Sequence, residues 1–303
     1  MTTTTIEAVI AAIPDWAGKA VVAREATGGL TNRNYFVEVD GDRFFVRIPG
    51  TDTDLLAVDR ANELHNTRAA GSTGVGADVA HALPELGAFV LAFIPGETMS
   101  NQRLAIAGMP ERVARSLLML HAGPRFLHDF DMFRLADRYL ALCDERSIPI
   151  PAGYRDRLVQ IPRVERALSA HPLPAVPCHN DLLAENYIDD GDLLRIVDYE
   201  YSGNNDPCFE LGNIWSESAL SLEQLELLVT SYYGARQRSR IARARLWGLM
   251  SKYGWTLWAS IQASVSPINF DFWSWGMEKY ERAIAEFDGP AFHGLLDDVA
   301  RED

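Results

Sequence analysis

Within His179-Asn180-Asp181-Leu182-Leu183-Ala184-Glu185-Asn186, an aspartate and an asparagine stand with four residues between them, and Ile196-Val197-Asp198-Tyr199-Glu200 follows closely. This donor set suits phosphoryl transfer. The migrating phosphoryl group asks little covalent chemistry of a protein, so the work is positioning nucleophile, metal and leaving group and neutralising their charge. Asp181 is the candidate base that orients and deprotonates an alcohol. Asn186 and Asp198 are the candidate Mg²⁺ ligands, since that ion takes oxygen donors and shares them with phosphates. Glu200 is a candidate for assisting a second metal or its waters. His179 reads as a brace, because a neutral imidazole can hydrogen-bond on both sides. Cys178, His179 and Asp181 have no second pair at zinc-binding spacing, so zinc is set aside.

The elements around these residues must hold them in register. The turn Asp189-Asp190-Gly191-Asp192 precedes the apolar run Leu193-Leu194-Arg195-Ile196-Val197, a hairpin pattern that delivers Asp198 at a strand end. Upstream, a short helix over residues 5–13 leads to strands at 20–27, 33–40 and 43–48, the last two joined at Asp40-Gly41. Residues 58–70 have helical composition and end at Gly71, read as the C′ residue. Apolar runs at 78–83 and 87–93 complete an antiparallel sheet of five strands. Ile94-Pro95-Gly96-Glu97 breaks the pattern, dividing the chain into a nucleotide-binding lobe, 1–94, and a catalytic and acceptor-binding lobe, 95–303. Periodic segments near 110–121, 132–143, 153–169, 207–219, 222–233, 239–262 and 271–287 make the second part mainly helical. The fold class is α+β and bilobal.

Gly28-Gly29-Leu30-Thr31-Asn32 lies between the first two strands, where backbone N–H groups could cradle ATP phosphates. A Gly-Gly pair there also suits a plain turn; its position in the strand order favours the phosphate reading. Arg47 on the third strand and Glu63 on the following helix match the cation and carboxylate with which kinases hold the α- and β-phosphates.

A net charge of −14 argues against nucleic acid and anionic membranes as partners and favours a cationic substrate. Hydrophobic content of 48% with 23% charged residues marks a globular chain. Cys143, Cys178 and Cys208 are few and unpatterned, suiting reduced thiols in a cytoplasmic protein. The N-terminus lacks a secretory pattern, and the uncharged stretch 253–270 is too interrupted by polar residues and Pro267 to span a membrane. Nothing in the sequence reports oligomeric state.

The run 177–217, with Asp198-Tyr-Glu-Tyr-Ser and Asn205-Asp-Pro-Cys-Phe-Glu-Leu-Gly-Asn213, resembles the choline/ethanolamine kinase family of the aminoglycoside phosphotransferase and protein-kinase-like superfamily. The resemblance extends from Gly28 to about Glu281. It implies a bilobal protein-kinase-like fold, ATP and Mg²⁺, and a small cationic alcohol as acceptor. Choline is the first expectation; ethanolamine, thiamine or another amino alcohol is the alternative, with aminoglycosides less favoured and an inactive kinase-like binding protein the contrary reading. The resemblance also implies Arg47 where protein kinases use Lys, and adenine contacts from the backbone near Ala92 and Ile94. Its choline pocket carries over to Trp255, Trp258 and Tyr201, more loosely to Phe270 and Trp275, with Glu217 as a carboxylate near the cation. Trp255, Trp258 and Gln262 share one helix face, and aromatic faces with nearby negative charge are what a quaternary ammonium, which has no N–H, requires. The same stripe would also suit a core; Trp273 is assigned to packing. The chain departs from the family in having Glu210 where Asp is usual, and in being short, like bacterial relatives of varied acceptor.

Overall fold

The computed structural model describes residues 4–26, 29, 31–50 and 53–301. Helix α1 (Ile6–Ala11) begins where the Thr5 hydroxyl accepts the Ala8 N–H, and it lies against a five-stranded antiparallel sheet. The strands are β1 (Val21–Glu25), β2 (Asn32–Val39), β3 (Asp42–Pro49), β4 (Val79–Leu83) and β5 (Ala88–Ala92), in the spatial order β1-β2-β3-β5-β4, with α2 (Arg60–Ser72) between β3 and β4.

Period-two alternation sorts β3 into two faces. Val46 and Ile48 join Ile6, Val9 and Trp16 in a core beneath α1. Phe45 and Arg47 point the other way, on the side where Phe89, Leu91 and Ile94 cluster and where α2 passes. Gly71, expected to close α2, lies inside the helix instead. The chain continues to Ser72, and the glycine is required by contact, because a Cβ there would stand 2.8 Å from the Ala77 carbonyl oxygen.

The rest is mostly helical. A two-residue strand, β6 (Glu97–Thr98), and α3 (Asn101–Leu104), α4 (Met109–His121), α5 (Met132–Arg146) and α6 (Ile161–Ala170) precede β7 (Val176–Cys178), β8 (Tyr187–Asp189), β9 (Leu194–Ile196) and β10 (Gly203–Asn205). Then come α7 (Pro207–Glu217), α8 (Leu222–Tyr233), α9 (Arg238–Val265), α10 (Phe272–Phe287) and α11 (Phe292–Val299). The segment expected as one helix over 153–169 divides into a 3₁₀ stretch, Tyr154–Gln160, and α6, with Pro162 in the first turn of α6. Helix α11 had no counterpart in the sequence reading.

Helix α9 is the axis of this part, 28 residues long and buried on nearly every side from Leu246 to Gln262. It meets α7 at two glycines: a Cβ on Gly212 would lie 2.1 Å from the Ala244 carbonyl oxygen, and one on Gly248 2.6 Å from that of Gly212. That approach brings α7 and the residues it carries under the loop after β7. The architecture is the bilobal protein-kinase-like fold, an antiparallel sheet joined to a helical part. Among the described residues no helix is long and apolar enough to cross a membrane.

Candidate active site

The loop after β7 is held from below by α7. Glu210 accepts the backbone N–H groups of His179 and Asn180 at 3.0 and 2.6 Å, one on each oxygen, and Asn213 Oδ1 accepts that of Leu182 at 2.6 Å. Asn213 is itself anchored to Ser251 of α9 at 2.9 Å. Asn180 adopts φ 69°, a conformation that a short amide side chain tolerates. The longer carboxylate at 210 thus bridges two loop amides.

His179 Nε2–H donates to the Val197 carbonyl at 2.8 Å, and its Nδ1 accepts the Asp181 N–H at 3.2 Å. Burial holds this imidazole below its ordinary pKa, although Glu210 pulls the other way, so the neutral tautomer that fits both bonds is favoured. The brace expected at His179 is what forms. Asn186 ends the 3₁₀ turn Ala184–Asn186 and donates its amide Nδ2 to the Asp181 carbonyl at 2.7 Å, which leaves its amide oxygen for another partner.

Hairpin β8–β9 delivers Asp198 two residues beyond its end, at φ 74°, a left-handed value uncommon for any residue but Gly. Arg47 Nη2 donates to Asp198 Oδ1 at 2.6 Å and to Glu200 Oε2 at 3.0 Å, while its Nε lies 2.5 Å from Glu63 Oε1. Arg60 supports Glu63 from one helical turn earlier, at 2.6 Å. Burial disfavours the Arg47 charge, but Asp198, Glu63 and Glu200 together raise its pKa. Burial likewise pushes Asp198 up, and Arg47 outweighs it, leaving that carboxylate below its usual range. Glu200 goes the other way, raised by burial and by the Asp198 charge.

Glu200 was expected beside a second metal. Its oxygens are instead taken: Oε1 accepts the Thr31 hydroxyl at 2.6 Å, and Oε2 accepts Asn32 Nδ2 at 2.8 Å as well as Arg47. It ties β2 and β3 to the loop that carries Asp198. Thr31 and Asn32, read as phosphate-loop residues, direct their side chains to this tie. Gly28 lies outside the described residues. A Cβ on Gly29 would sit 2.7 Å from the Asn32 carbonyl oxygen, so the second glycine is needed for the turn itself.

Arg47, Ala77, Phe89, Leu91, Val197 and Asp198 line a narrow pocket between sheet and hairpin, apolar at one end and charged at the other. Ala92 and Ile94 lie at its strand-β5 side, where Ile94 packs with Leu91. The Ala92 N–H is already donated to the Asp78 carbonyl at 2.8 Å, so it is not a donor to a base.

The aromatic residues of the acceptor side form one cluster. Trp258 Nε1–H donates to the Tyr201 hydroxyl at 2.7 Å, Tyr201 meets Trp255 edge-on at 5.0 Å, and Trp258 meets Trp275 at 5.7 Å. Phe270 closes one side, 6.4 Å from Trp275, and is 42% exposed. Trp273, assigned to packing, is instead 39% exposed. Glu217, the last residue of α7, was expected as a carboxylate near the acceptor's cation. It is paired with Lys279, whose ammonium also lies 3.9 Å from the Trp275 ring centre.

Asp181 is partly accessible, and its carboxyl is held well above the usual range by burial and by the charges of Glu217, Asp198 and Glu200, against Lys279. Lys279 escaped the sequence reading. Its one signal was the i, i+4 spacing from Trp275, which places both on one helix face. A cavity of about 330 Å³ beside Glu200 and Tyr201, bordered by Asn62, His128, Asp131 and Arg134, was also unforeseen.

Residues 22–248 match the family described as "Phosphotransferase enzyme family". A choline/ethanolamine kinase family protein from Mesorhizobium loti superposes with a TM-score of 0.85 at 35% identity, over 97% of both chains. The chain belongs to this phosphotransferase family, on its choline/ethanolamine kinase branch. As such it is a phosphotransferase acting on an alcohol. Two further relatives are similar at lower identity. Ethanolamine kinase 1 of Mus musculus is 27% identical over 323 aligned positions, covering 89% of this chain and 85% of that one. Protein LicA of Haemophilus influenzae is 29% identical over 212 positions, 68% of this chain and 61% of that protein.

Proposed function

We propose that this phosphotransferase moves the γ-phosphoryl group of ATP to the hydroxyl of choline. The observation that carries the reading is the placement of Asp181 within electrostatic reach of Glu217 and Lys279, beside the Tyr201, Trp255, Trp258 and Trp275 cluster. A base poised against aromatic faces and a carboxylate suits an alcohol whose other end is a cation. Asp181 orients the hydroxyl and takes its proton. Asn186 and Asp198 would hold Mg²⁺, through the amide oxygen left by the Asp181 contact and the carboxylate oxygen not taken by Arg47. Bound there, Mg²⁺ would neutralise charge on the phosphates. Arg47, kept charged by three carboxylates, is the cation for the α- and β-phosphates. Glu63 holds Arg47, and Gly29 lies in the segment that would cover the phosphates. We take the division of labour to fall after residue 94, nucleotide before and acceptor after. The three cysteines are unpaired and buried, in keeping with a reducing cytoplasm.

Ethanolamine is the second reading, favoured by one observation. Glu217 Oε1 is buried without a hydrogen-bond partner, and a primary ammonium could supply an N–H that a quaternary one lacks. Purified protein with Mg-ATP should release ADP in a choline-dependent manner, read in a coupled assay against ethanolamine, thiamine and kanamycin. No release at millimolar choline would remove choline; faster release with ethanolamine would install the second reading.

A further inference from the structure

The chain has three lysines, at 19, 252 and 279, and meets most of its need for cations with arginine. Lys19 is exposed; the other two are buried, each over a tryptophan and against a carboxylate. Lys252 lies 4.2 Å from the Trp215 ring centre and pairs with Glu286. Lys279 lies 3.9 Å from the Trp275 ring centre and pairs with Glu217.

An aromatic face with a carboxylate beside it is a recognition unit for an organic cation. Lys279 fills such a unit from within the chain. Trp275 in turn touches Trp258, which bonds Tyr201, so this unit is continuous with the aromatic cluster beside Asp181. Two cations cannot share Glu217 and Trp275 at contact distance in a site this dry without strong repulsion. The lysine stem is flexible enough for its ammonium to leave while α10 stays in place.

We propose that Lys279 is a tethered competitor in the acceptor's cation subsite: the charged nitrogen of the acceptor binds by displacing the Lys279 ammonium from Glu217 and Trp275. This rests on the reading of that corner as the acceptor pocket. Lys279 is then a specificity-determining residue. It weakens every cationic acceptor, and a neutral one of the same shape, which must displace the ammonium without replacing its charge on Glu217, is weakened further. Acceptor affinity is set by the difference between two cations on one carboxylate.

Tetramethylammonium, which has the cation and no hydroxyl, tests the displacement apart from turnover. In the intact wild-type protein, acetylation of Lys279 by an N-hydroxysuccinimide ester, read by mass spectrometry against Lys19 as internal reference, should accelerate when tetramethylammonium is added. In Lys279→Met and Lys279→Gln, affinity for tetramethylammonium by calorimetry and KM for choline should each improve about tenfold. Adding Glu217→Gln to either variant should erase the gain, and Lys279→Arg should show none. Unchanged labelling on tetramethylammonium binding would overturn the proposal, as would folded Met and Gln variants that bind no tighter than wild type. Choline turnover by wild type with a KM that these variants leave unaltered would sink the displacement alone, whereas absence of choline turnover would sink the acceptor reading.

Discussion

Asp181 is placed where ionisation is expensive, and that cost is the source of its basicity. Burial and the charges of Glu217, Asp198 and Glu200 raise its pKa above the value in an unfolded chain. The group must be ionised to accept a proton, so kcat/KM should fall as pH drops through a value well above the ordinary aspartate range, measured in a pH profile with saturating Mg-ATP. An acid limb at the usual aspartate pKa would contradict this placement. Stability runs in the opposite sense. A carboxyl with a raised folded pKa binds protons more readily in the native state, so it costs nothing below its unfolded pKa and its full penalty above its folded one. Asp181→Asn should therefore abolish turnover, by at least about 100-fold, yet raise Tm near neutral pH by about 2–4 °C, with the difference vanishing in acid. A variant that is inactive and less stable would point to a structural aspartate. The Asp, Asn and Asp spacing, and Arg47 with Glu63, were legible because each is defined by chemical type at a fixed distance along the chain. Lys279 was not legible in this way, since its partners Glu217 and Trp275 come from two helices and a buried lysine looks like any other in sequence.

At the scale of elements, the position of the catalytic loop is decided by α7. Glu210 and Asn213 hold three loop amides, and Asn213 is tied to Ser251 on α9. The two helices can approach only because Gly212 and Gly248 face each other. Gly212→Ala would drive a methyl into the Ala244 carbonyl. It should lower unfolding stability by about 1–3 kcal/mol in urea titration. Because the shift propagates through Glu210, kcat should fall with it while KM for ATP changes less; an unchanged kcat would show that the loop is held without α7. Hydrophobic periodicity revealed α4, α5, α7, α8, α9 and α10 within a few residues of their ends. It missed the break before α6, where the pattern continues across a 3₁₀ turn, and it misread Gly71, whose role is a tertiary contact with Ala77 rather than a helix end. The contacts of Glu200 were hidden for a related reason: its hydrogen-bond partners Thr31 and Asn32 lie about 170 residues earlier in the chain.

Across the whole molecule, the sheet and the helical part meet through a network in which Arg47 joins Glu63, Asp198 and Glu200, while Asn62 and Asn66 hold the Ser202 carbonyl at 2.9 and 3.1 Å. The narrow pocket lined by Arg47, Phe89, Leu91, Val197 and Asp198 is thus built from both parts at once. Net charge acts at this scale too. With −14 overall, the cationic acceptor proposed above would be drawn in by a field that salt screens within about 10 Å at 0.1 M. KM for choline should rise roughly twofold between 20 and 200 mM NaCl, whereas KM for the neutral isostere 3,3-dimethylbutan-1-ol should stay level. Equal salt responses would remove long-range attraction from the account.

By itself the sequence determined the reaction class and the order of sheet and helices, because those depend on residue type, periodicity and short spacings. Tertiary structure alone decided which charges are free. Glu217 and Glu200 are carboxylates of the expected kind, but one is paired with Lys279 and the other accepts hydrogen bonds from Thr31, Asn32 and Arg47. Electrostatic energy depends on separation in space and on the removal of water, and neither is written in the spacing of residues along a chain.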